Sequence, residues 1–295
     1  MRKTTALFGL IVGSVLLVGC EGTIEPSNGS SLGVDREEFF SGYIRGHEDL
    51  TRFTIEKANA LIKSEFGISN FFPTVSIFDS CLYTSHKILA GNCATDYPDS
   101  TMTSYYGHPA DGFGDAPDLQ DLHFLRNHTS STTVVSAREA CEDAKARIVN
   151  ASLLAATYWK NGDTTSAYYW MGHAMHTIQD SFAPAHTSRI GTLYRTLTDV
   201  CTWGIEVPGV CYHSFLDSGD SVWKSSLSCP GLTRPWSCLN GQAQSAVYAS
   251  AGYLRVMVRH MKAGFQGDLA AKLAEFFDGP ATDTYVGYFQ CQQLP

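Results

Sequence analysis

The stretch AYYWMGHAMHTIQDSFAPAHTSR, residues 167–189, decides how the rest of the chain is read. Ala167, Trp170, Met171, Ala174, Met175 and Ile178 recur at three- and four-residue steps, the period of a helix with one apolar face. His176 and Asp180 are four residues apart, so a helix projects both from one side, one turn above the other. Pro184 ends or bends that helix, and His186 follows two residues later, giving His-x3-Asp-x5-His. An imidazole and a carboxylate one turn apart can share a metal ion, and zinc accepts both nitrogen and oxygen ligands. A buried polar pair explains His-x3-Asp alone equally well. His186 behind the proline turns the reading to metal binding.

Upstream, Ser136–Lys160 has a helical pattern through Ala140, Ala144, Ile148, Leu153, Ala156 and Trp159. It stops at Asn161-Gly162-Asp163, and Asp163 or Thr164 caps the next helix, so the two form an antiparallel hairpin. Glu37–Phe66 is another helix, with Leu50, Phe53, Ile55, Ala58, Leu61 and Ile62 on one side and His47 near its start. Residues 67–110 read as long surface loops. Asp111, Asp115, Asp118 and Asp121 then crowd together before His123. Such carboxylates repel unless solvent or a cation relieves them, and a solvated loop is the commoner case.

Residues 187–240 read as disulfide-tied loops holding His213-Ser-Phe-Leu-Asp217, a second His-x3-Asp expected to open a short helix. Gln242–Phe265 and Asp268–Phe277 complete the helices. No run alternates at period two, so the expected fold is mostly α, a single-domain helical bundle with long disulfide-tied loops.

The chain has 295 residues, nine cysteines and a formal charge of −8. Residues 1–19 read as a bacterial lipoprotein signal, with Arg2 and Lys3 before an apolar run that closes Leu17-Val18-Gly19-Cys20. Cys20 is then the lipidated first residue, Glu21–Val34 a flexible tether, and 35–295 the folded domain. This places the protein in a bacterial cell envelope, at the outer membrane or cell surface. Eight cysteines remain, and an exported chain pairs them; the short loops suggest Cys81–Cys93, Cys201–Cys211 and Cys229–Cys238, leaving Cys141 with Cys291. The acidic balance weighs against nucleic acid, and there is no phosphate-binding glycine loop or recognisable nucleophile motif.

The order His47, Asp111, His123, His176-x3-Asp180-x5-His186, His213-x3-Asp217 resembles the zinc-dependent phospholipase C family, whose superfamily includes zinc-dependent single-strand nucleases and nucleotidases. The resemblance covers about residues 40–220 and is most specific over His176–His186. It implies a helical bundle binding two to three zinc ions. Asp111, His123, His176 and Asp180 would hold one; His186, His213 and Asp217 a second; His47 and a bridging Asp180 part of a third. Asp115 or Asp118 can stand in for Asp111. The family's third site also uses a terminal tryptophan, whereas no Trp precedes Trp159 here. Asp217 stands where phospholipases carry Glu, which is closer to the nuclease branch.

The resemblance implies phosphodiester hydrolysis by zinc-activated water, with Asp111 orienting that water or taking its proton. The favoured activity is a phospholipase C acting on glycerophospholipid head groups. Rivals are a nuclease or 3′-nucleotidase, the only reading with a nucleic-acid partner, and a non-catalytic metal-binding surface lipoprotein. Expected partners are a phospholipid and, through Cys20, the membrane, with the chain a monomer. Of the other histidines, His173 is expected beside the site or exposed, and His86, His108, His128 and His260 have no usable spacing. Tyr105, Tyr106 and Phe124 are expected to pack, or less often to wall a pocket. Asp199, outside the motif, is expected to tolerate Asn.

Overall fold

The computed structural model describes residues 46–81, 84–96, 120–130, 133–203, 207–213, 222, 235–280 and 282–295, all within one unit, Asp35–Pro295. The described chain is mostly helical. Its helices are α1 (Gly46–Phe66), α2 (Lys87–Asp96), α3 (Ala137–Lys160), α4 (Thr164–Asp180), α5 (Gly241–Lys262) and α6 (Leu269–Asp278). Short 3-10 turns sit at Gln120–His123, Thr192–Tyr194, Trp236–Cys238 and Cys291–Gln293.

The stretch read first, α4, lies at the centre and packs against α1, α2, α3 and α5. Its apolar stripe accounts for that position: Ala167, Met171, Ala174, Met175 and Ile178 are all buried. Ser136 caps α3 through Glu139 N, and Asp163 caps α4 through Ser166 N, satisfying amides that have no partner in the first turn. Asn161–Asp163 alone separates α3 from α4, which makes them the expected hairpin. Phe71 stacks on Trp159 and Tyr168 meets Phe72, covering the hairpin near its turn.

Helix α2 corrects the expectation of loops over 67–110. It packs on α4 backbone to backbone: a Cβ on Gly91 would overlap the Tyr169 carbonyl, and one on Gly172 the Ile88 carbonyl. Small residues rather than an apolar stripe create this contact, so periodicity does not reveal the helix. His86 caps it, with Leu89 N donating to His86 Nδ1 (3.3 Å) while Nε2–H donates to Pro73 O (2.9 Å).

Residues 187–203 also carry strands. β3 (Thr187–Ile190) pairs antiparallel with β4 (Thr196–Val200), with a register shift between Ser188 and Arg189. β5 (Thr202–Trp203) pairs in parallel with β6 (Tyr212–His213). His213 therefore ends a short strand, and the residues after it, where a short helix was expected, lie outside the described residues. A further short pair joins His128–Ser130 to Thr133–Val134. Cys81–Cys93, Cys141–Cys291 and Cys201–Cys211 are disulfides as expected. Cys238 is also disulfide-bonded, while Cys229 lies outside the described residues. Such pairing belongs to an oxidising compartment, extracellular or in the envelope. No helix among the described residues is long and apolar enough to cross a membrane.

Candidate metal centre

Asp180 is the last residue of α4, where the negative end of the helix dipole opposes a carboxylate. It is also 3% exposed, and burial further disfavours its charge. Four buried histidines surround it. Asp180 Oδ2 lies 2.9 Å from His176 Nε2, 3.1 Å from His123 Nδ1 and 3.8 Å from His186 Nδ1. Its other oxygen, Oδ1, lies 3.1 Å from His47 Nε2. Burial pushes the Asp180 carboxyl up, yet His176, His186, His47 and His123 outweigh it and hold the carboxyl well below the ordinary range.

Each histidine arrives from a different place. His47 is the second residue of α1, and its ring stacks on His176 with centroids 4.2 Å apart. His123 ends a 3-10 turn that Thr177 Oγ1 fastens to α4 by donating to Leu122 O (2.8 Å). Phe124 then takes a left-handed backbone (φ 54°), unusual for an aromatic residue, and the chain turns sharply just after His123. Phe124 itself is buried against Phe289, so it packs rather than walling a pocket. His186 follows Pro184 on the turn leaving α4, and its backbone carbonyl accepts from Cys201 N (2.8 Å) at the end of β4.

Hydrogen-bond partners place one ring proton on each of two of these histidines. His186 Nδ1 lies 2.5 Å from the backbone carbonyl of His123, which only accepts, so Nδ1 carries the proton and Nε2 keeps its lone pair. His47 Nδ1 donates to Gln179 Oε1 (2.7 Å), an oxygen that also accepts from Asn92 Nδ2 (3.0 Å), so Nε2 is the nitrogen that His47 turns toward Asp180. His47 has the arrangement of a metal-ligating histidine, its far nitrogen donating to an oxygen while the near one faces the carboxylate.

Spacing agrees with chemistry. His176 Nε2, His123 Nδ1 and Asp180 Oδ2 form a triangle with edges of 2.9, 3.1 and 3.1 Å. Ligand atoms on a tetrahedral zinc, at roughly 2.0–2.1 Å, sit about 3.3 Å from one another. Ligand atoms of His47, His176 and Asp180 likewise lie within 4.8 Å of one another. These buried residues can hold a metal ion.

Of the expected ligands, the structure brings His47, His123, His176, Asp180 and His186 together. Asp111 and Asp217 lie outside the described residues, as do Asp115, Asp118, Tyr105, Tyr106 and His108, and of His213 only the backbone is described. Asp121 bonds to Arg147 Nε of α3 (2.6 Å) instead of joining the set, and burial raises its carboxyl despite that partner. His173 is neither exposed nor a member: its Nδ1 shares a hydrogen bond with Thr95 Oγ1 (2.9 Å), and burial followed by His176 lowers it to about 4.

Three supporting residues were not expected. Gln179 and Asn92 are fully buried amides, and the one available signal is a polar Gln four residues after Met175, inside the buried face. Asp199 is the third. It accepts from Arg126 (2.5 Å), from Val200 N (2.8 Å) and from Cys211 N (3.3 Å), and Arg126 also donates to Val200 O. That pair braces the strand behind His186, so the expectation that Asp199 tolerates Asn is corrected.

No protein-family model matches the chain, and no solved structure matches it. The chain is similar to Hemolysin-1 of Aeromonas salmonicida, 28% identical over 126 residues that cover 36% of this chain and 22% of that protein. It thus spans about a fifth of that relative's length.

Proposed function

We propose that the protein is a zinc-dependent phosphodiester hydrolase of the phospholipase C type, anchored to the envelope through a lipidated Cys20. The observation that supports this best is the division of Asp180: Oδ2 faces His123 and His176, while Oδ1 faces His47. One carboxylate addressing two sets of imidazoles suits neighbouring cations, whose mutual repulsion its charge offsets. The donor set of imidazoles and a carboxylate fits zinc. His123, His176 and Asp180 would hold one ion, with Asp111 joining them in this reading. His47 and Asp180 would contribute to a second, and His186, with His213 and Asp217, to another.

Zinc bound there supplies Lewis-acid stabilisation of a phosphoryl oxygen and an acidified water at neutral pH. The chain supplies orientation. Gln179 holds the His47 proton on its outer nitrogen, so that ring keeps Nε2 toward Asp180, and the His123 carbonyl holds the His186 ring through Nδ1. Asp111 is the residue proposed to orient the attacking water or take its proton. Burial of His47, His123, His176, Asp180 and His186 strengthens the electrostatic contacts among them.

Single-strand nuclease or 3′-nucleotidase activity is the second reading, favoured by Asp217 and opposed by the charge of −8. The partial similarity to Hemolysin-1 does not choose between the substrates. Parallel assays on phosphatidylcholine vesicles and single-stranded DNA, before and after chelation and zinc add-back, test the proposal. Zinc-restored release of a phosphorylated head group is expected. DNA cleavage without lipid cleavage selects the second reading, and a zinc-loaded protein inert on both overturns the hydrolase.

A further inference from the structure

A turn distant from the histidines in sequence is fastened to them in space, and it carries two apolar side chains into solvent. Phe78 is 85% exposed and Ile77 37%, although Phe72 and Val75 just before them are buried. The turn is held by its own hydrogen bonds. Ser76 N donates to Asp79 Oδ2 (2.7 Å), Phe78 N to Ser76 Oγ (3.1 Å) and Asp79 N to Ser76 O (3.1 Å). Two residues on, Cys81 N donates to Glu48 Oε1 (3.2 Å), beside His47 in α1, and Cys81 is disulfide-bonded to Cys93 of α2. Asn92, next to that cysteine, is the residue that holds Gln179.

The surroundings suit one kind of partner. Gly67–His86 contains a single Asp, Glu, Lys or Arg, namely Asp79, although such residues make up 17% of the chain. Asp79 is itself engaged by the turn, so the tip offers no charge pair to a protein. Two side chains on a turn also fall well short of the roughly 800 Å² per partner that a stable protein interface needs. An aromatic, uncharged tip instead fits the boundary between head groups and acyl chains. The chain outside the described residues agrees: fourteen residues, Glu21–Val34, follow Cys20. Read from its Ser-, Gly- and Pro-rich composition as a tether, a stretch of that length would span about 20 Å and keep the domain near a bilayer.

We propose that Ile77 and Phe78 insert into the bilayer and dock the metal centre on a lipid surface. The role in catalysis rests on the phospholipase reading and the proximity on a lipidated Cys20; insertion itself requires no activity. The full chain, purified from membranes and reconstituted into phosphatidylcholine vesicles, is tested as Phe78→Trp with lipids brominated along their acyl chains. The added tryptophan should emit to the blue of a water-exposed one, and bromines near the head-group end should quench it beyond the baseline of the five native tryptophans. Water-like emission with no added quenching overturns the proposal.

Phe78→Asp separates docking from folding. Its rate on vesicles should fall about tenfold or more, the scale of burying one aromatic side chain. Its rate on a monomeric short-chain phosphatidylcholine and its zinc content should stay within about twofold, since the Phe78 ring points away from the core and adds little to the fold. Equal loss on both substrates makes the residue structural and overturns docking. If wild type hydrolyses neither lipid, the phospholipase reading fails while the quenching still decides insertion.

Discussion

Replacing Gln179 by Leu isolates the part of the metal centre that binds no metal. Gln179 Oε1 accepts from His47 Nδ1 at 2.7 Å and from Asn92 Nδ2 at 3.0 Å, and all three residues are buried. Leu keeps most of the volume but leaves both donors without an acceptor. Each unmade buried bond costs about 1–3 kcal/mol. Part of that is returned, because Gln179 Nε2 is itself buried without a hydrogen-bond partner and disappears in the variant. A net loss of about 1–3 kcal/mol remains. If it falls on metal binding, affinity drops roughly 10- to 100-fold, the range for partners that orient a ligating histidine. Competition against a chromophoric zinc chelator measures the affinity, and thermal unfolding in excess chelator measures the metal-free fold. Gln179→Glu, which retains an acceptor, should recover most of the affinity. The tautomer argument is refuted if Gln179→Leu loses stability in chelator yet binds zinc within twofold of wild type.

Asp199→Asn should destabilise the fold by about 1–3 kcal/mol, because the carboxylate that pairs with the largely buried Arg126 loses its charge; denaturant unfolding would show this as a lower midpoint, and an unchanged midpoint would remove Asp199 from the support of His186. Arg189→Leu should also destabilise, by about 1–3 kcal/mol for each buried acceptor left without its donor, since its buried guanidinium donates to the Ser181, Tyr194 and Tyr288 carbonyls and lies 4.3 Å over Phe182. Burial pulls Arg189 down to about 9, so it remains protonated at neutral pH, and Arg189→Lys, lacking the fork, should rescue little in the same assay. Asp283 carries a pH signature: burial raises its carboxyl, but Tyr285 N and Arg255 outweigh this and lower it below the unfolded value. Its stabilising contribution is therefore present above the unfolded pKa and lost as pH falls through the folded one. Asp283→Asn should lower Tm at pH 7, and by progressively less as the pH falls below the unfolded pKa; an equal loss across that range would refute the assignment.

What could be read from the sequence follows the range of each interaction. Helix α4 was legible because its apolar stripe and Pro184 are local signals, and so were its neighbour α3 and, as one of two candidates, the cap Asp163. Helix α2 was not, because Gly91 acts only when Gly172 of another helix lies against it. The pair His176 and Asp180 is visible as a four-residue step, whereas His47 lies 132 residues from the Gln179 that orients it, beyond any periodicity. His47 and His123 entered the ligand set through family resemblance alone. The amides Gln179 and Asn92 escaped because neither is a ligand type, and Asp199 because its partner Arg126 is far off in the chain.

Metal content is the most direct test of the centre built on Asp180. The protein, purified without chelator, and its Asp180→Asn variant are analysed for bound metal beside Glu56→Gln, an exposed control on α1. The expected result is two to three zinc ions per chain in the wild type and the control. A folded Asp180→Asn protein should have markedly less zinc, because one neutral amide replaces the carboxylate that faces His47, His123 and His176. Less than one ion per wild-type chain, or full zinc in Asp180→Asn, would contradict the metal centre.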